Sequence, residues 1–120
     1  MDSRGKLGVI VNRGDVCIVD LGGRLGRRPV VILTRNNVIA FINKVTVAEI
    51  TTQGKGYPTE IPIQTAGNLP QDSYVLADNL HTIPKNLLQK HTGTLDNETM
   101  HRVSRAVVLA LGLEETFASR

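Results

Sequence analysis

The chain of 120 residues has no tryptophan, and its only aromatic residues apart from histidine are Phe41, Tyr57, Tyr74 and Phe117. So few rings exclude a protein that reads single-stranded nucleic acid mainly by stacking successive bases on aromatic side chains. A single cysteine, Cys17, excludes a disulfide framework and a cysteine-built zinc site. Its apolar neighbours predict a buried, inert thiol. Long apolar runs are also missing. Runs such as residues 29–33 and 107–111 fall far short of the roughly 20 residues that span a bilayer. Residues 8–11 are too few for a signal-peptide core, so a cytoplasmic protein without membrane contact is expected. No charge dominates: the net value is +3, a mild bias toward an anionic partner.

Other absences narrow the chemistry. His81, His91 and His101 show no ligand spacing, so neither a metal nor another cofactor is expected. No serine lies in a GxSxG context, and Gly54-Lys55 is followed by Gly56 where a phosphate-binding loop needs Ser or Thr. Arg13-Gly14-Asp15 matches a cell-adhesion tripeptide, but nothing in the chain reads as secretory.

What is present reads as one small domain, too short for two cores. Residues 1–12 are expected to be a loose extension, residues 13–113 the domain and residues 114–120 a tail. The apolar run at 16–21 predicts a strand buried on both faces. Gly22, Gly23 and Gly26 predict a mobile loop. Residues 29–34 predict a second strand opened by Pro29. The Val-, Ile- and Thr-rich stretch 38–50 predicts one long strand or two short ones, with Val45, Val47 and Glu49 on one face. Residues 57–64 alternate as an edge strand, and residues 74–77 form another that ends at Asp78-Asn79. Pro84 opens a helical turn over 84–88. The clearest helix is 97–111, with Asp96 as N-cap and Gly112-Leu113 as the stop. Met100, Val103, Val107, Ala110 and Leu111 fall on one face, with Arg102 and Arg105 off it. Short strands and one C-terminal helix predict a mainly β (α+β) antiparallel barrel or coiled sheet.

Two polar loops stand out. Arg24, Arg27 and Arg28 cluster at the glycine loop, and planar guanidinium groups suit phosphates. Residues 51–56, Thr-Thr-Gln-Gly-Lys-Gly, offer hydroxyls and backbone amides to the same chemistry. Arg13-Gly14-Asp15-Val16 comes first, then the block 26–34 around Arg28-Pro29, then the block 50–60 around Thr51-Thr52-Gln53. Residues 72–83 and the end of the last helix follow. In this order the blocks resemble the MazF/PemK family of toxin endoribonucleases over residues 13–113.

The resemblance implies a small SH3-like antiparallel β-barrel with short helices and a C-terminal α-helix, assembled as a homodimer. It implies metal-independent cleavage of single-stranded RNA, usually mRNA, and inhibition by a cognate MazE-like antitoxin. Arg28 matches the family's catalytic arginine and Thr51 its catalytic threonine. Arg24, Arg27, Thr52, Gln53, Lys55, Asp78 and His81 are the expected RNA contacts. A positively charged channel between residues 24–28 and 51–55 of both chains is also implied. The chain departs from the family at Cys17, often tryptophan, and in a shorter loop between Asp20 and Arg28. It also has Leu76 where one branch carries an arginine, which leaves the general base unassigned. The alternative is a binding-only toxin of the same fold, like the CcdB gyrase poisons, which would need neither Arg28 nor Thr51.

Overall fold

Six strands form one antiparallel sheet in the computed structural model, which describes residues 10–118. Strand β1 is Asp15–Asp20, β2 Arg27–Ile32, β3 Lys44–Thr51, β4 Glu60–Gln64, β5 Ser73–Pro84 and β6 Leu88–Thr94. Helix α1 (Asn36–Ile39) precedes β3, while α2 (Asn97–Ala110) and α3 (Glu114–Ala118) follow the sheet. The sheet order is β4-β5-β3-β2-β1-β6.

Both faces of the central strands are buried, as the continuous apolar runs require. On one face Cys17, Val19, Val30, Ile32, Val45 and Val47 form a core to which α1 adds Ile39. On the other, Val16, Val31, Ala48, Ile50 and Val75 pack with Met100 and Val103 of α2. Burying each such valine contributes roughly 1.5–3 kcal/mol, enough for them together to set the register. The core starts at Val11, which is buried, two residues before the expected boundary. The rest of the expected extension, residues 1–9, lies outside the described residues, as do residues 119–120 of the tail.

The expected antiparallel barrel or coiled sheet is present as one sheet with a gap between its end strands, β4 and β6. A 3-10 turn, Ala66–Asn68, bridges most of that gap. Asn68 Nδ2 donates to the Thr92 carbonyl at 2.8 Å, and Thr92 Oγ1 donates to the Gly67 carbonyl at 3.0 Å. The two backbones approach so closely that a Cβ on Gly93 would lie 2.5 Å from the Gly67 carbonyl carbon.

Strand β5 runs past Asp78-Asn79, where sequence alone predicts its end. Its pairing with β3 jumps there: Ala48 faces Leu80, and the next residue, Glu49, faces Leu76. Residues 77–79 form a bulge that has no partner on β3. Three extra residues reverse the alternation, so Val75 and Leu80 share the same core although their separation is odd.

Other boundaries also differ from the sequence expectation. Residues 36–39 are helical because one turn drops Ile39 into the core, so β3 starts only at Lys44. Strand β4 starts at Glu60, since residues 57–59 turn back on themselves through Glu60 N–H to the Tyr57 carbonyl at 3.0 Å. Strand β6 was not legible, being polar and mostly exposed at the sheet edge. Residues 114–118 are helical instead of tail. The glycine loop is a closed turn, with Leu21 N–H on the Gly26 carbonyl at 2.9 Å and Gly26 N–H on the Gly22 carbonyl at 3.1 Å. The expected turn after Pro84 is present as the 3-10 turn Lys85–Leu87.

Helix α2 matches its signals. Asp96 accepts from Thr99 N–H at 2.8 Å, and these Thr99 hydrogen bonds hold its carboxyl below the usual range. Leu113 N–H reaches the Val108 carbonyl at 2.9 Å past Gly112, whose φ is +70°, which satisfies the last carbonyls as a Schellman stop. Leu111 is exposed, though, and Ala106 is buried in its place on the apolar face. The Arg13-Gly14-Asp15 tripeptide is structural. Arg13 donates to the Leu33 carbonyl and, at 2.5 Å, to Ser104 Oγ, which ties β2 to α2. Asp15 is buried and accepts from Asn12 N–H at 2.7 Å and Thr94 Oγ1 at 2.9 Å.

Candidate active site

The first core's sheet face continues outward into a cleft. Along β2 and β3 the pairs run Ile32 with Val47, then Val30 with Glu49. Two residues further along the same register, Arg28 comes beside Thr51. Both side chains line a cleft of about 420 Å³, together with Glu49, Gln53, Lys55 and Asp78. Leu25, Tyr57, Thr59, Glu60, Leu76 and Asn79 complete its walls. A second groove of about 240 Å³ adjoins it, and Arg28, Thr51 and Gln53 line both. These three residues therefore form the ridge between the two depressions.

Arg28 and Thr51 are each held in a way that leaves polar atoms free. Arg28 Nε donates to the Leu25 carbonyl at 2.8 Å, so the glycine turn anchors the guanidinium. Its two terminal nitrogens have no protein partner among the described residues. Thr51 Oγ1 accepts from Gln53 N–H at 3.0 Å, which leaves the hydroxyl hydrogen to donate outward. Glu60 Oε1 accepts from Lys55 N–H at 2.7 Å and Gly56 N–H at 3.0 Å, which closes the loop over residues 55–60. Gly54 lies flat on Tyr74: a Cβ there would meet the ring at 2.7 Å, so the loop can pass only as glycine.

The bulge in β5 pushes Asp78 and Asn79 into the cleft. Thr59 Oγ1 donates to Asp78 Oδ2 at 2.5 Å. At the cleft wall, Glu49 Oε2 is 2.5 Å from His81 Nε2, with Glu49 almost fully buried and His81 partly exposed. Among the described residues no group of three or more His, Cys, Asp or Glu is placed to hold a metal ion. His91 pairs with Asp15 at 3.4 Å on the β6 side.

Of the residues picked out from sequence, Arg28, Thr51, Gln53, Lys55 and Asp78 meet in the cleft. Arg27 and Thr52 line only the adjoining groove, and Arg27 Nε donates to Gln89 Oε1 at 3.0 Å. Arg24 lines neither; it is exposed on the turn. His81 is reached only through Glu49. The expected positive channel is of mixed charge within one chain, because Glu49, Glu60 and Asp78 offset Arg28 and Lys55. Sequence reasoning missed Glu49, although its alternation with Val45 and Val47 already set a carboxylate on a core face.

Comparison with known proteins concerns the chain as a whole. The model of the family described as PemK-like, MazF-like toxin of type II toxin-antitoxin system matches residues 12–111. A Mycobacterium tuberculosis protein named endoribonuclease MazF3 is 46% identical over 68 residues, covering 57% of this chain and 66% of the relative. The matched segment therefore spans just under two thirds of that relative's length. A solved Mycobacterium tuberculosis toxin, MazF-mt6, superposes with a TM-score of 0.75 at 36% identity, over 82% of this chain and 96% of the other. A mycobacterial endoribonuclease in complex with its cognate antitoxin superposes with a TM-score of 0.78 at 31% identity, over 87% and 97%. No described helix is long and apolar enough to cross a membrane.

Proposed function

Because the chain belongs to the PemK-like, MazF-like toxins of type II toxin–antitoxin systems, we propose that it is an endoribonuclease that cuts single-stranded RNA at the ridge formed by Arg28, Thr51 and Gln53. One observation supports this most: Arg28, Thr51, Gln53, Lys55 and Asp78, picked out from sequence as phosphate- or RNA-binding groups, line a single cleft. In this mechanism the 2′-hydroxyl of the substrate attacks the adjacent phosphorus and the 5′-oxygen leaves. Negative charge grows on the non-bridging oxygens. The free terminal nitrogens of Arg28 and the outward hydroxyl of Thr51 stabilise that charge, which is worth most in a preorganised site. No step needs a metal ion. The groove beside the ridge, with Arg27 and Thr52, carries the flanking phosphates.

A homodimer, in which two such clefts join into one channel, and a MazE-like antitoxin that occupies the channel complete the reading. Exposed Leu109, Leu111 and Phe117 supply apolar surface for such contacts. A binding-only gyrase inhibitor would leave Arg28 and Thr51 without a task.

The test is incubation with a long single-stranded RNA of mixed sequence in excess EDTA. Cleavage leaving a 2′,3′-cyclic phosphate and a 5′-hydroxyl supports the proposal. Activity that disappears on chelation and returns with Mg²⁺ would sink it. Sedimentation at micromolar concentration tests the dimer, and displacement of RNA by the antitoxin tests the shared channel.

A further inference from the structure

Cleavage of this kind also needs a group that removes the proton of the attacking 2′-hydroxyl. Arg28 is a permanent cation and Thr51 a neutral hydroxyl, so neither serves. Three carboxylates line the cleft. Glu60 is occupied by the amides of Lys55 and Gly56, which it holds in the loop turn. Asp78 receives the Thr59 hydroxyl and stands in the exposed bulge. Glu49 differs from both. Its side chain is only 6% exposed although it lines the cleft. Oε2 is engaged by His81, and Oε1 has no protein partner among the described residues. A buried carboxylate oxygen without a donor is uncommon, because nothing replaces its lost hydration. The β-register adds direction. Glu49 is two residues from Thr51 on the same face of β3, and its partner Val30 is two residues from Arg28 on β2.

Resting on the endoribonuclease reading above, we propose that Glu49 is the general base of the cleavage and that His81 positions it. His81 donates to Oε2 and so turns Oε1 toward the cleft. Glu49 takes the proton of the 2′-hydroxyl as O2′ bonds to phosphorus. The P–O5′ bond then breaks, its electron pair stays on O5′, and O5′ takes a proton from water. Glu49 releases its proton to solvent as product leaves, so one proton is lost and one gained per cleavage. The charged and titratable groups that share the cleft with Glu49 are Arg28 from β2, Asp78 from β5, Lys55 and Tyr57 from the β3–β4 loop and Glu60 from β4, and His81 of β5 is bonded to it.

The experiment is single-turnover cleavage in EDTA from pH 5 to 9. Its substrate is a labelled oligoribonucleotide carrying a site first mapped on long mixed RNA. The wild type is expected to reach a plateau within this range. Glu49→Gln should cut the plateau rate by roughly 10²–10³ while RNA Kd stays within about threefold, and its residual rate should climb about tenfold per pH unit as hydroxide takes over. His81→Gln keeps an N–H for Oε2 and should stay within about tenfold of wild type, with His81→Ala lower. A Glu49→Gln variant with the wild-type rate and profile overturns the proposal. If that variant does not fold, the wild-type profile decides, since a log-linear rise across the whole range means that no protein base titrates. Cleavage lost in Arg28→Ala but kept in Glu49→Gln overturns the role of Glu49 alone. Absence of any cleavage by wild type overturns the nuclease reading with it.

Discussion

Arg28 and Thr51 stand beside each other because Val30 pairs with Glu49: the same β2/β3 register, carried two residues outward, brings both to the ridge between two grooves. The core and the ridge are thus one continuous sheet face, and the packing of Val30, Ile32 and Val47 fixes the spacing of the polar pair. The loops then hold the side chains, the glycine turn through the Leu25 carbonyl and the β3–β4 loop through Gln53 N–H.

Arg28→Ala should lower the cleavage rate by roughly 10²–10³, by analogy with the loss of one preorganised donor. Stability should change little, because the side chain is only partly buried and makes one hydrogen bond, to the Leu25 carbonyl. Arg28→Lys should rescue poorly, since an ammonium cannot present a planar fork. Rates beside thermal melts check both points; equal loss of rate and melting temperature would contradict the prediction.

Arg24 lies on the turn, outside both grooves. Arg24→Ala is expected to weaken RNA binding without changing the rate at saturation. If it meets one phosphate, the slope of log K against log salt should become shallower by about 0.7. A fluorescence titration at several salt concentrations reads this directly.

Burial, reinforced by neighbouring Asp15, pushes the Cys17 thiol up from 9.0 to about 12. In the unfolded chain the thiol ionises near its ordinary value, so between about pH 9 and 12 the folded state binds more protons. The stability it contributes is whole below about pH 9 and is lost as pH rises toward about 12. Urea unfolding at pH 7 and 10 should show the wild type losing more stability than Cys17→Val. Native protein at pH 8 should resist thiol reagents until it unfolds.

Gly93→Ala should destabilise by about 1–3 kcal/mol, the usual range for overpacking. The new methyl would meet Gly67 backbone atoms at 2.5–2.8 Å, where no side chain can rotate away. Chemical denaturation measures the loss; wild-type stability would mean that the turn can separate from β6.

Legibility from sequence followed the strength of local pattern. Strand β1, β2 and helix α2 were readable because apolar runs and caps announce themselves, and the expected Asp96 cap and Gly112 stop are both present. Arg28 and Thr51 were readable through the motifs around them. Strand β6 was not, since an exposed edge of Gln89, Lys90 and His91 carries no apolar signal. Nor was the course of β5 past Asp78, because an odd bulge inverts the alternation on which a period-two pattern depends. Glu49 showed its face in the pattern, but not its partner, which lies 32 residues away on another strand.

That bulge has a bearing on how such a protein can diversify. The two halves of β5 are registered separately on β3, with Val75 opposite Ile50 and Ile83 opposite Val45, and residues 77–79 have no partner there, although buried Ala77 donates to the Thr59 carbonyl at 3.0 Å. An insertion or deletion between Asp78 and Asn79 would leave both halves paired as they are. It would alter only the wall that presents Asp78 and Asn79 to whatever enters the cleft. Descendants of one gene could therefore change what the cleft admits by altering chain length at this single place, while the paired halves of β5 keep their partners on β3.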